Sequence, residues 1–333
     1  MTPKSQPTLT DVVSHIDTFG AAAAARFGLR PAAPLELLSH RENAVFRVDD
    51  DASGMRYVLR VHRPGYQNQR SIQSELTWME ALTEAGVDTP SALAGINGDP
   101  VQAVAIEAGS APFDCDVLHW IEGVPPGDTD LAETYRLVGS INARMHGHVQ
   151  QWSPPAGFER QVWDEDGLVG ADPLWGRFGD LDALTGEHRA LLTEARDGVR
   201  QRVIAFGKTP DRYGLIHADV LPENIMVTKD GPMVIDFDDC GFGWFLYDYA
   251  TCVSFHERED SFGTVHNAWV EGYRSVAPLP DDILAETLTF RLARYIVVLG
   301  WLHGRRDSPF AADYTPTAIA TACSLAREFL DRQ

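Results

Sequence analysis

The stretch Leu215-Ile-His-Ala-Asp-Val-Leu-Pro-Glu-Asn-Ile-Met-Val227, followed closely by Met233-Val-Ile-Asp-Phe-Asp-Asp239, concentrates the chemistry of this chain. Two apolar, strand-like runs, Asn224–Thr228 and Pro232–Phe237, flank Lys229-Asp-Gly231, a tight-turn signal, so two strands joined by a turn are expected. The turn sets the strand ends side by side, and Asp219 lies on a loop just before the first strand. Asp219, Asn224 and Asp236 are therefore expected to converge. A carboxylate, an amide oxygen and a second carboxylate can hold Mg²⁺ and orient a hydroxyl, because Mg²⁺ takes a few hard protein oxygens and leaves the rest to phosphate and water.

Working outward, the first third reads as a small mixed sheet carrying a helix. Helices are expected over 11–28 and 69–86, the second with Ile72, Leu76, Met79 and Leu82 at helical spacing and Gly86 as its stop. Strands are expected at Ala44–Val48 and Tyr57–Val61, joined by the hairpin chemistry of Asp49–Gly54, and at Val101–Glu107 and Cys115–Ile121. Glu122-Gly-Val-Pro-Pro-Gly127 marks a linker. Beyond it the pattern turns helical, over 130–148, Glu187–Phe206, 281–304 and 315–331, with the aromatic and acidic stretch Trp152–Gly186 unassigned. The expected class is α+β. Its parts are a strand-rich unit over 1–118, a hinge over 119–127 and a larger helical unit over 128–333.

Composition narrows the function. The 333 residues hold 28 Lys and Arg against 48 Asp and Glu, a formal charge of −20. Nucleic acid calls for a basic stripe and an anionic membrane for a basic face, and neither is visible. Residues 1–118 carry 9 basic and 15 acidic side chains, and residues 119–333 carry 19 and 33. The acidic second part reads either as solvated surface or as a cleft that prefers cations. A hydrophobic fraction of 44% places the chain among folded globular proteins. Met1–Pro7 has no apolar run, so no export signal is expected, and no apolar run reaches the ~20 residues of a spanning helix. Cys115, Cys240, Cys252 and Cys323 are scattered without a CxxC pair, which points to a reducing cytoplasm rather than to zinc or disulfides. Nothing in the sequence specifies an oligomeric state.

The pattern His217-x-Asp219-x-x-x-x-Asn224, then Ile235-Asp236-Phe237, resembles the catalytic and metal motifs of the aminoglycoside phosphotransferase family. Choline kinases, type II homoserine kinases and stress-response kinases share that kinase-like group. The resemblance runs over most of the chain. Ser39–Val48 is similar to the nucleotide-loop hairpin, Val58-Leu-Arg-Val61 to the strand bearing the phosphate-binding cation, Trp120–Pro126 to the hinge, and Gly139–His146 to the helix ending in L-A-x-x-H. It implies a bilobal protein-kinase-like fold with a small β-rich lobe and a larger, mainly helical one. It also implies ATP and Mg²⁺ as cofactors. Asp219 would orient or deprotonate the attacking hydroxyl, and Asn224 and Asp236 would hold Mg²⁺. Arg60, positioned by Glu75, would neutralise the nucleotide phosphates; the turn at Asn43 would supply amides, and Trp120 and Ile121 would line the hinge. His217 and Asp248 would support the catalytic loop. Two departures from the protein-kinase pattern stand out. The cation is Arg60 rather than lysine, with a planar fork in place of a point charge, and Ser39–Val48 contains no glycine.

Only residues 237 to 247 separate Asp236 from Asp248, too few for the activation segment and A-P-E motif of a protein kinase. A small hydroxyl-bearing acceptor is expected. A protein Ser/Thr kinase of the stress-response type and a catalytically silent nucleotide-binding scaffold are the alternatives. Val162–Gly176 gathers four carboxylates and two indoles, and Trp244, Phe245, Tyr247 and Trp301 add aromatic faces suited to an amine or quaternary ammonium group. Arg291 and Arg294 could take a substrate carboxylate, and the two signs together would suit a zwitterionic amino alcohol. Asp238 is a further candidate for substrate contact, or an auxiliary group beside the metal, or part of a solvated turn.

Overall fold

The computed structural model describes residues 7–40, 42–127 and 130–333. Met1–Gln6, which were read for an export signal, Arg41 of the candidate nucleotide loop and Asp128–Thr129 lie outside the described residues. From the amino end the elements are α1 (Leu9–Ser14), α2 (Ile16–Arg26), β1 (Glu36–His40), β2 (Ala44–Asp49), β3 (Arg56–Val61), α3 (Gln69–Glu84), β4 (Val101–Val104), β5 (Phe113–His119) and β6 (Gly123–Val124). There follow α4 (Leu131–Val149), β7 (Gln161–Trp163), α5 (Glu165–Val169), α6 (Gly186–Phe206), β8 (Tyr213–Ile216), β9 (Ile225–Thr228), β10 (Gly231–Val234) and β11 (Gly241–Trp244). The carboxy-terminal part is helical: α7 (Phe245–Val253), α8 (Phe262–Arg274), α9 (Asp281–Leu284), α10 (Thr287–Gly304) and α11 (Pro309–Asp331). Contacts sort these into two units. The first runs to Val124 and takes in Pro154–Glu159 and Met226–Asp238; the second holds the other described residues. An antiparallel sheet in the first and a larger helical part in the second make the expected α+β class.

In the first unit the sheet order is β1-β2-β3-β5-β4, antiparallel throughout. The β2–β3 hairpin pairs Ala44 with Val61 and Asp49 with Arg56. Its turn forms where the acidic run predicted it: Asp50 accepts from Ser53 N at 2.8 Å and from Arg30 N at 2.7 Å, and Gly54 takes φ +68°. Alternation along β2 buries Ala44, Phe46 and Val48 with Phe19 and Phe113. The helix expected over 11–28 is broken at His15. There the Ser14 hydroxyl, the Thr18 hydroxyl and His15 Nδ1 bond the carbonyls of Thr10, His15 and Asp11, so side chains compete for main-chain groups. Asn68 caps α3, which buries Ile72, Leu76, Met79 and Leu82 and, on the same face, Glu75. A second sheet, β10-β9-β6, draws part of the Pro/Gly linker into pairing, with Gly123 opposite Thr228 and Val124 opposite Val227. Of the strand expected over Pro232–Phe237 only the first half forms, because the chain turns off at Asp236, whose φ is +63°. Asn224 lies in a 3-10 turn, Pro222–Asn224, rather than in β9.

The second unit contains the sheet β7-β11-β8, in which β11 runs parallel to β7 and antiparallel to β8. The glycines of Gly241-Phe-Gly-Trp244 obscured this strand in the sequence, yet the packing requires them. A Cβ at Gly241 would sit 2.4 Å from the Gln161 carbonyl, and one at Gly243 2.5 Å from Ile216 Cδ1. The stretch Trp152–Gly186 supplies β7, α5 and a 3-10 turn at Phe178–Asp180. The helix expected over 281–304 divides into α9 and α10 at Ala285 and Glu286, and α11 begins at Pro309, capped by Ser308. Among the described residues no helix is long and apolar enough to cross a membrane. The four cysteines are free and buried.

Candidate active site

Between β8 and the 3-10 turn the chain adopts a strained loop. Ala218 has φ +66°, a left-handed conformation that costs a non-glycine residue about 1–2 kcal/mol. Asp248, wholly buried on α7, holds it there: one carboxylate oxygen accepts from Ala218 N at 2.7 Å, the other from His217 N at 3.3 Å and His146 Nε2 at 3.0 Å. His146 Nδ1 lies 3.1 Å from the Tyr273 hydroxyl, and its ring stacks on Phe245 with centroids 4.2 Å apart. His217 is buried and turns Nδ1 back to accept from Asp219 N at 3.3 Å. Both expected supports of the loop therefore contact its backbone. His146, which the sequence offered only as the end of a helix, completes the set.

Asp219 emerges from this loop with both carboxylate oxygens engaged. Asn224 Nδ2 donates to the Asp219 carbonyl at 2.9 Å and to Oδ2 at 3.3 Å. Arg294 Nη2 donates to Oδ1 at 3.1 Å, and Arg294 Nη1 to the Tyr247 hydroxyl at 3.3 Å. The Arg294 guanidinium lies over the Trp175 ring, 5.0 Å from its centroid. Burial disfavours its charge, but Tyr247, Asp219 and Asp239 outweigh that and push its pKa up. Asp219 keeps 24% of its side chain exposed, so a small hydroxyl can still reach it.

Three substrate candidates need correction. Arg291 forks onto Glu257 at 2.6 and 2.5 Å and covers the Phe262 ring, so its donors already serve an internal carboxylate. Trp244 is fully buried, donates to the Gly207 carbonyl at 2.7 Å and packs on Tyr213 and Phe290; it is core. Asp238 is 4% exposed and faces His62 Nδ1 at 3.8 Å, so it is not a solvated turn residue.

The nucleotide-side candidates sit in the first unit. Arg60 on β3 donates from Nη1 to Glu75 Oε1 at 2.7 Å and from Nε to Asp116 at 2.9 and 3.2 Å. Glu75 holds Arg60 as expected; Asp116, on the neighbouring strand β5, is the partner the sequence did not reveal. His62 Nε2 donates to Asp116 at 2.5 Å. Burial would lower the His62 pKa, but its hydrogen bond to Asp116 and the nearby Asp238 carboxylate prevail and raise it to about 9. A buried cluster of two cations and three carboxylates results. Asn43 is also buried, and its side-chain oxygen accepts from Arg63 N at 3.1 Å. Trp120 lies under the Arg56 guanidinium at 5.6 Å and donates its main-chain N–H to the Arg56 carbonyl, with half-buried Ile121 next along the chain.

Asp236 is exposed at the end of β10, and Phe237 beside it is anchored edge-on against Trp78, 5.5 Å between centroids. Asp236 belongs to the first unit, Asp219 and Asn224 to the second. No group of three or more His, Cys, Asp or Glu side chains is placed to hold a metal among the described residues. Each residue taken by itself carries a donor of the kind Mg²⁺ accepts: with its amide nitrogen on Asp219, Asn224 keeps a hard oxygen, and Asp236 has a carboxylate. Arg60 Nη2 is buried and has no hydrogen-bond partner among the described residues, a donor that a phosphate oxygen would satisfy.

Comparison with known proteins bears on the family and the fold. A sequence profile of the phosphotransferase enzyme family matches residues 35–279. The amicoumacin kinase of Bacillus subtilis (strain 168) is 26% identical over 307 residues, 89% of this chain and 87% of that protein. A microcompartment-associated aminopropanol kinase superposes with a TM-score of 0.85 at 35% identity, covering 95% of this chain and 98% of its own. An amicoumacin kinase in complex with AMP-PNP, Ca²⁺ and Ami shares the fold, with a TM-score of 0.77 at 22% identity over 97% of this chain and 96% of that one. The profile and the 35% identity over nearly the whole length together decide the matter: this chain belongs to the phosphotransferase enzyme family and has its protein-kinase-like fold.

Proposed function

We propose that this protein transfers the γ-phosphoryl group of ATP to the hydroxyl of a small amine-bearing molecule, in the cytoplasm. The observation that carries the reading is the fixed carboxylate of Asp219: tied on both oxygens, mounted on a strained and anchored loop, and still partly exposed. Its likeness to an aminopropanol kinase and an amicoumacin kinase supports an acceptor with a hydroxyl and an amine. Asp219 accepts a hydrogen bond from the acceptor hydroxyl and takes its proton as the new O–P bond forms and the bond to the ADP oxygen breaks. Arg60 turns its remaining nitrogen to the nucleotide phosphates, with Glu75 and Asp116 fixing the fork. Asn43 shapes the turn over the phosphates, and Trp120 and Ile121 lie along the hinge. Asn224 and Asp236 are assigned to Mg²⁺ on the motif spacing, and the ion, when bound, neutralises charge on the phosphates. His217 and Asp248 hold the loop and touch no substrate. Between Asp236 and Asp248 the chain forms β11 and the start of α7, which favours a small acceptor over a peptide.

The test is ADP release over a panel of 1-amino-2-propanol, ethanolamine, choline, homoserine, hydroxylysine and aminoglycosides, with Asp219→Asn alongside. At least one amine-bearing alcohol should be consumed. Asp219→Asn should lose about 10²–10⁴-fold in kcat while binding ATP within threefold of the parent. Full activity in that variant, or phosphorylation of proteins alone, would overturn the reading.

A further inference from the structure

We propose that Arg294 is the positioning residue for Asp219 rather than a receptor for a substrate carboxylate, so that the acceptor is an amino alcohol without a carboxylate. This rests on the role assigned to Asp219 above. Between Asp219 and Asn224 the loop reads Val-Leu-Pro-Glu and supplies no cation. The positive charge at Asp219 comes instead from α10, where Arg294 lies among Leu292, Ala293, Tyr295 and Ile296, all buried. A buried arginine is costly unless its charge is paired and its geometry is held; Nη1 and Nη2 of Arg294 are bonded, and Nε has no partner among the described residues. Here the fork bridges Asp219 Oδ1 and the Tyr247 hydroxyl while its face rests on Trp175. Trp163 stacks on Tyr247 at 5.5 Å and meets Trp175 edge-on at 5.4 Å, so the aromatic walls that clamp Arg294 are themselves braced. Asn224 fixes the opposite oxygen. The plane of the carboxylate is thus set from two sides, and the lone pairs left over define where a hydroxyl can sit.

The same geometry bears on specificity. One turn earlier on α10, Arg291 is bound to Glu257. With Nη2 of Arg294 on Asp219 and Nη1 on Tyr247, neither arginine expected to read a carboxylate has its pair of terminal nitrogens uncommitted. An acceptor carboxylate close to the hydroxyl that Asp219 receives would lie beside a second carboxylate, and like charges that close repel.

The experiment compares Arg294→Lys, Arg294→Met and Tyr247→Phe with the parent, using 1-amino-2-propanol and the pair ethanolamine and serine, which differ by one carboxylate. Arg294→Lys should lower kcat 10- to 100-fold and Arg294→Met further, with the KM for acceptor and the Kd for ATP within threefold. Guanidinium ion should restore part of the Met variant's activity, and Tyr247→Phe should lose three- to tenfold in kcat. Ethanolamine should be preferred to serine in every variant. If none of these acceptors turns over, the same ratios are read on the slow hydrolysis of ATP by water. A rise in acceptor KM at unchanged kcat, or a parent that prefers serine and loses that preference in Arg294→Met, would overturn the proposal. So would loss of fold in both Arg294 variants, which would make the residue structural. Parent-like Arg294 variants beside an inactive Asp219→Asn would sink this inference alone; an active Asp219→Asn would sink the reading beneath it.

Discussion

Replacing Asp248 by alanine removes the carboxylate on which the loop before Asp219 hangs. Three donors lose their acceptor: Ala218 N at 2.7 Å, His146 Nε2 at 3.0 Å and His217 N at 3.3 Å. Hydrogen bonds to a charged acceptor contribute about 1.5–3 kcal/mol each, and the longest of the three counts for least. Removing a buried charge returns part of this, since it no longer has to be desolvated. The net loss comes to about 3–4 kcal/mol, which at roughly 2–4 °C per kcal/mol lowers the melting temperature by about 6–16 °C. The catalytic effect is separate. Ala218 has no reason to keep a left-handed φ once its N–H is released, and relaxation there swings Asp219, the next residue, out of register with Arg294 and Asn224. A misplacement on the order of 1 Å costs about 100-fold in rate. ATP affinity should stay within threefold, because the Arg60 cluster belongs to the other unit. Asp248→Asn keeps an acceptor for Ala218 N but turns an amide NH₂ toward another donor, and should fall between. Scanning fluorimetry, ADP release and calorimetry with ATP read the three quantities. A kcat within threefold of the parent in a folded Asp248→Ala protein would show that the loop needs no such anchor.

The nucleotide-side cluster gives two more expectations. Arg60→Lys keeps the charge but loses the fork that spans Glu75 and Asp116, so the Kd for ATP should rise at least tenfold, about 1.4 kcal/mol; an unchanged Kd would remove Arg60 from the phosphate site. His62 carries a folded pKa raised to about 9, so its contribution to stability is complete below the unfolded value near 6.5 and fades as pH rises through 9, on the order of 3 kcal/mol in all. Melting curves between pH 6 and 9.5 at fixed ionic strength should show that decline, and His62→Asn should flatten it.

What could be read from the sequence was whatever is local. Asp219, Asn224 and His217 fall within one loop and its exit, and Glu75 shares a helical face with Ile72 and Met79, so spacing alone brought each into view. Asp116 in the middle of β5, His62 just past β3 and His146 near the end of α4 resemble ordinary residues of such elements, and only pairing across strands or helices reveals what they touch. Arg291 and Arg294 carry the same signal one turn apart on α10. Glu257 faces the first and Asp219 the second, and that difference lies in tertiary packing. Elements went unread for a similar reason: the glycines of β11 and the split of α10 from α9 answer to neighbours distant in the chain. By contrast the β2–β3 hairpin and α3, whose determinants are adjacent residues, formed close to where their patterns put them.

The interleaving of the two units in the chain has a consequence for biosynthesis. Met226–Asp238 completes the first unit, pairing β9 with β6, bonding Val234 N to the Asp88 carbonyl and packing Phe237 on Trp78. That segment leaves the ribosome more than a hundred residues after Val124, about 5–20 s later at ordinary rates of synthesis. During that interval Trp78 lacks its contact with Phe237, and Gly123–Val124 lack their pairing with β9. The nascent chain therefore passes through a stage in which its amino-terminal sheet is made but unsealed, and the aspartate assigned to the metal, Asp236, arrives on the same short piece of chain that closes it.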